Sequence, residues 1–153
     1  MIDVEIEDEA WSGALPGCEA VVRLAAEAAL ATAQRPGEVS LTILLTGDPA
    51  VQDLNGRFRG QDKPTNVLSF PAAESAGPYL GDVAMAFGVC AAEARCQHKS
   101  LADHLSHLTV HGVLHLLGYD HEADHEAEVM EDMERSILKR LGVRDPYAWA
   151  ADA

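Results

Sequence analysis

One stretch constrains this chain more than any other: HLSHLTVHGVLHLLGYDHEADH, residues 104–125, which holds six of its seven histidines. From Leu101 to Leu117 the pattern is helical, so the segment must lie as a helix with an apolar face against a core. His111 and His115 are four residues apart, which puts both imidazoles on one helical face, one turn from each other. Gly118 ends the helix by taking a left-handed C-cap at no steric cost. The turn Gly118-Tyr119-Asp120-His121 can then fold His121 back toward the pair.

Three neutral nitrogen donors suit one divalent ion with positions left for water or substrate, the pattern of a catalytic rather than a structural site. All-nitrogen ligation fits zinc, one ion per chain, with nickel, copper or another divalent metal as alternatives. A single helical histidine is ordinarily solvated or satisfied in the core; the pair followed by a third beyond a glycine turn outweighs that reading. His107 lies four residues upstream on the same stripe and reads as an alternative ligand or, preferably, as a residue that orients the site by hydrogen bonding. His125 is a weaker rival to His121, and His98 and His104 read as surface residues. A zinc protease would carry glutamate directly after the first histidine of the pair, as general base. Gly112 stands there instead, which argues against peptide hydrolysis.

The rest of the chain supplies a frame for this helix. Ile2, Val4 and Ile6 alternate with polar residues as a half-buried strand does. An Ala-rich helix runs from Pro16 to about Gln34 and is closed by Pro36-Gly37. Val39 to Leu45 is apolar on both faces, a central strand. Asp48 offers an N-cap, with Pro49 at the first position, for a short helix through Phe58. Thr65 to Phe70, bracketed by prolines, predicts an edge or ligand-lining strand, and PYLGDVAMAF a further strand in which Gly81 permits close backbone approach. Helices follow over Val89–His98, Leu101–Leu117 and Asp124–Leu141. This order implies an α+β fold: one domain over residues 1–153, a small mixed β-sheet packed against helices, and a metal-binding helix followed by a glycine turn.

With 48% apolar and 24% charged residues the composition is that of an ordinary globular domain. The N-terminus lacks a secretion signal and no apolar run approaches the ~18 residues of a membrane span, so a cytoplasmic protein without membrane partners is expected. Cys18, Cys90 and Cys96 are odd in number and form no CxxC pair, and read as small buried or half-buried residues. The net charge of −14 counts against tight non-specific binding of polyanions. Arg57, Arg59 and Lys63 nevertheless make a basic island. The acids of the last helix, Glu126, Glu128, Glu131, Asp132 and Glu134, read as solvated surface, with docking of a basic protein as the other reading.

HGVLHLLGYDH, LNGRFRGQDKPTNVLSFP and the intervening YLGDV closely resemble, in the same order, the motifs of the YbeY family of bacterial rRNA maturation factors. The resemblance runs from about Val39 to Tyr147, with Phe58 standing where tyrosine is common. It implies an α+β fold, zinc on His111, His115 and His121, and a functional role for Arg59. It also implies single-strand-specific endoribonuclease activity in 3′-end maturation of small-subunit (16S) rRNA and in ribosome quality control. The expected partners are single-stranded rRNA and the small ribosomal subunit with its proteins.

Phosphodiester cleavage needs a nucleophile, charge stabilisation and a proton donor. Arg59, whose planar fork matches two phosphate oxygens, is the candidate for holding substrate and stabilising charge. Asp120 and Asp82 are candidates for proton transfer, although Asp120 can equally orient His121. Thr65, Asn66 and Ser69 are candidates for bonding phosphate or ribose, Lys63 for the basic patch or for setting the loop, and Tyr119 for stacking on a base or packing against the last helix. Two other readings stay open: a ribosome-assembly binding factor whose metal is mainly structural, and a metallohydrolase of another phosphoester.

Overall fold

The alternating N-terminus forms β1 (Ile2–Ile6) and the doubly apolar segment forms β2 (Ser40–Thr46) in a computed structural model that describes residues 1–33 and 38–148. β2 pairs in parallel with β1 on one side and with β4 (Tyr79–Ala86) on the other. The proline-bracketed strand β3 (Val67–Pro71) lies antiparallel on the outer side of β4, giving a mixed sheet of order β1-β2-β4-β3. The expected central and edge strands thus take those positions. Ile2 is buried at the start of β1, whereas Ile6 at its end stays exposed.

Helices cover both faces. On one side lie α2 (Cys18–Leu30), α5 (Leu101–Leu116) and α6 (Asp124–Arg140), and on the other α3 (Asp48–Arg59). Leu41, Ile43 and Leu45 enter the larger core with Val22 of α2 and Leu105 and Val113 of α5, while Leu44 turns to a smaller core with Val51 and Leu54 of α3. Each such fully buried side chain contributes about 1.5–3 kcal/mol, so burial on both faces pins β2 at the centre. α2 ends at Leu30 with Ala31 as its C-cap, short of the expected Gln34, and the closing Pro36-Gly37 falls outside the described residues. A short helix α1 (Ala10–Ala14) was not legible in the pattern. It exists to seat the buried Trp11, whose Nε1 donates to the Thr46 carbonyl at 2.9 Å and whose ring meets Phe87 edge-on.

Asp48 differs from expectation. Gly47 precedes the first turn of α3, and the Asp48 carboxylate instead accepts the Val89 backbone N–H, 3.1 Å away, in the first turn of α4 (Phe87–Cys96). It caps a different helix from the one it starts. Among the described residues no helix is long and apolar enough to cross a membrane. Of the cysteines, Cys18 and Cys90 are buried and Cys96 is exposed.

Gly81 sits where β3 presses on β4, with φ +135°; a Cβ there would meet the Phe70 carbonyl at 2.2 Å and the Ala72 nitrogen at 2.9 Å. Both contacts are backbone and cannot give way. Gly81→Ala is therefore expected to destabilise the protein by roughly 3 kcal/mol, a fall in Tm of about 6–12 °C in thermal unfolding.

Candidate metal centre

Ser100 starts α5, its side chain accepting the Asp103 N–H at 3.1 Å. Leu105, Val113 and Leu114 bury one side of the helix, and Gly112 lets it close on the sheet: a Cβ at 112 would stand 2.8 Å from a Val83 methyl. The position where a protease would place its glutamate is thus a close helix–sheet contact, with no room for a longer side chain. The Gly112 carbonyl accepts the buried Ser69 hydroxyl at 3.1 Å, tying β3 to α5.

His111 and His115 emerge on the open side with Nε2 atoms 3.1 Å apart. Gly118 (φ +103°) reverses the chain, and the Asp120 carboxylate accepts the His121 backbone N–H at 2.7 Å, which fixes the turn. His121 folds back so that its ring lies 5.5 Å from that of His111 and 4.9 Å from that of His115, and one nitrogen of each of the three comes within 4.8 Å of the others. Two nitrogens each about 2.0–2.1 Å from a zinc ion at a tetrahedral angle stand ~3.3 Å apart, so the closest pair already has ligand spacing. Burial lowers the pKa of His115, and the neighbouring His111 and His121 push it the same way, which favours the neutral, ligating imidazole. Donor chemistry and spacing both fit a divalent ion. His125 is exposed at the start of α6 and lies outside the cluster.

Behind His111 lies a group the sequence reading missed. Glu134, expected on the solvated face of α6, has no exposed surface. Its Oε1 is 2.8 Å from His107 Nε2 and 3.2 Å from His111 Nδ1, and the Tyr147 hydroxyl reaches both carboxylate oxygens at 3.0 Å. Burial alone would raise its pKa, but hydrogen bonds from the two imidazoles hold it down at about 2, so the carboxylate is ionised. The signal was present: Met130, Ile137 and Leu138 mark the buried stripe of α6, and Glu134 falls on it. His107 thus turns its Nε2 to Glu134. His104 is also buried rather than at the surface, 3% exposed, with Nε2 2.9 Å from Glu93, which in turn accepts the Asn66 amide at 3.0 Å.

The histidine triad lines a cleft of about 620 Å³. Thr65 to Ser69 and Pro71 of the β3 segment, together with Arg59, line the same cleft, and Gly118, Tyr119, Asp120 and Glu122 complete the lining. Arg59 is the last residue of α3, which stops at Gly60 in a left-handed C-cap. Its guanidinium donates to the Ser69 carbonyl at 2.6 Å and stands 5.8 Å from the centre of the Phe70 ring. Two expected residues are elsewhere. Val83 faces α5, so its neighbour Asp82 projects from the other face of the sheet, where it bonds the Tyr79 hydroxyl. Lys63 is exposed outside the cleft, and its carbonyl accepts the Asn55 amide at 2.9 Å, which sets the loop. Glu122, which the pattern did not single out, lines the cleft instead.

Comparison with known proteins agrees with this architecture. The family described as Endoribonuclease YbeY matches residues 4–142. A protein of Paramagnetospirillum magneticum named Endoribonuclease YbeY is 51% identical over 155 aligned residues, spanning 95% of this chain and 94% of that protein. One of the same name from Maricaulis maris is 51% identical, spanning 95% of this chain and 91% of that protein. The solution structure of TM1509 from Thermotoga maritima shares the fold, with a TM-score of 0.56 at 24% identity over 95% of this chain and 98% of that one. On the family match and these nearly full-length identities, the chain belongs to the endoribonuclease YbeY family.

Proposed function

We propose that this protein is a metal-dependent endoribonuclease that cuts single-stranded RNA in the 3′-end maturation of small-subunit rRNA, with zinc held by His111, His115 and His121. The observation that carries the reading is the convergence of three imidazoles in a cleft that Arg59 also lines. A divalent ion bound there supplies Lewis acidity toward the phosphoryl group and toward water. Arg59 spends part of its guanidinium on the Ser69 carbonyl, which fixes its direction; its remaining N–H groups bind phosphate oxygens and meet the charge that grows on them during cleavage. Accepting the proton of the attacking hydroxyl falls to Asp120 or Glu122, the carboxylates among the cleft-lining residues. The Ser69 hydroxyl is committed to the Gly112 carbonyl and keeps the cleft wall in place rather than bonding substrate.

An acidic body sets the strength of binding. With a net charge of −14, the attraction for RNA rests on Arg57, Arg59 and Lys63. Three phosphate contacts on a single strand give a slope of log K against log salt of about −2, measured by fluorescence anisotropy between roughly 50 and 200 mM salt. A slope near zero would remove phosphate contacts from the account.

The test is cleavage of a labelled single-stranded 3′-precursor of small-subunit rRNA by zinc-loaded protein, beside the same RNA as a duplex and a simple phosphodiester. Cutting of the single strand alone is the expected result. Equal turnover of the simple diester would make the protein a general phosphoesterase, and ribosome binding without cleavage would make it an assembly factor.

A further inference from the structure

Glu134 poses an energetic question. A carboxyl group with no exposed surface is costly to bury, and its partners here are two imidazoles and a phenol rather than lysine or arginine. A leucine at this point of the α6 stripe would pack against the core at lower cost. Its geometry supplies a reason. Oε1 stands within hydrogen-bond reach of both His107 Nε2 and His111 Nδ1 and serves both by accepting, so the nitrogen of His111 that faces it, Nδ1, carries the proton. A neutral imidazole has one proton to place. Its Nε2 is then a bare lone pair, and that atom is the one facing His115. The same logic puts the His107 proton on Nε2, leaving a His107 Nδ1 that is buried without a partner, so neither nitrogen of His107 joins the triad.

We propose that Glu134, held at its outer oxygen by the Tyr147 hydroxyl, is a positioning residue that holds His111 in the tautomer presenting its Nε2 lone pair to the metal. This rests on the triad being the metal site. The two imidazoles fill the lone pairs of Oε1, and the single Tyr147 proton goes to Oε2, 3.0 Å away, so that the carboxylate cannot swing away. Partners of this kind behind a metal ligand are each worth about 10–100-fold in metal affinity.

The experiment measures zinc affinity by chelator competition for wild type, Glu134→Gln, Tyr147→Phe and His115→Ala, each checked for folding by circular dichroism. The tautomer of His111 is read by nitrogen-15 NMR in the metal-free proteins. Wild type should show His111 protonated on Nδ1. Glu134→Gln should weaken zinc binding about 10–100-fold and move the proton toward Nε2, and Tyr147→Phe should do the same to a smaller extent. Tyr147 is 37% exposed, so its variant folds and carries the test even where Glu134→Gln does not. Unchanged zinc affinity and unchanged tautomer in the Glu134 or Tyr147 variants, while His115→Ala loses zinc, would overturn the positioning role and leave the triad standing. Zinc affinity unchanged in His115→Ala as well would take down both.

Discussion

Replacing His115 with alanine is expected to lower metal-dependent RNA cleavage by at least about 10³-fold, equivalent to ~4 kcal/mol of barrier. The loss follows from donor count, since two imidazoles hold an ion far less well than three. Folding should survive. The buried side of α5 is built from residues such as Leu105, Val113 and Leu114, whereas His115 lies on the cleft side. The sharper readout is therefore thermal. Saturating zinc at about 1,000 times its dissociation constant stabilises a folded protein by ~4 kcal/mol. Wild type should gain a corresponding rise in Tm on adding zinc, and His115→Ala should gain little. A variant that keeps both the zinc-induced rise and the cleavage activity would exclude this triad as the working site.

The second large effect is expected at Arg59, and it should differ in kind. Arg59 belongs to α3 and is not among the three clustered imidazoles, so Arg59→Ala should leave zinc affinity untouched while lowering kcat for RNA by about 10²–10³-fold, the usual cost of removing a donor aimed at developing charge. Arg59→Lys keeps the charge but not the planar fork and should recover only part of that loss. Stability changes little, because the one internal bond lost, to the Ser69 carbonyl, is worth about 1 kcal/mol. An increase in KM at unchanged kcat would make Arg59 a substrate anchor alone. No kinetic effect would reduce it to a strut for β3.

Much of this architecture was legible because it rests on periodicity and spacing. Residues 41–45 are apolar on both faces and become the central strand; His111, His115 and the turn at Gly118 prescribe a three-imidazole cluster from local geometry alone. What stayed hidden depends on which face of an element meets which neighbour. Asp82 looked available until α5 was found to pack on the Val83 side of β4. Glu134 was counted with the acids around it by residue type, although its helical phase with Met130 and Ile137 placed it inside. His104 was hidden in the same way, because its partner Glu93 lies on a different helix. The meeting of Arg59 with the triad follows from sheet order, since β3 must take the edge beside β4 before the end of α3 can face the end of α5.

The place of Tyr147 along the chain gives the fold a temporal order. All four strands are complete by Ala86, the histidines follow between residues 111 and 121, and the clamp on their supporting carboxylate comes at residue 147. Because the chain is made from its N-terminal side, the strands exist before the residues of the site and the clamp behind it. A protein proposed to cut ribosomal RNA thus receives the support for its proposed metal ligands only after its strands and its histidines have been made.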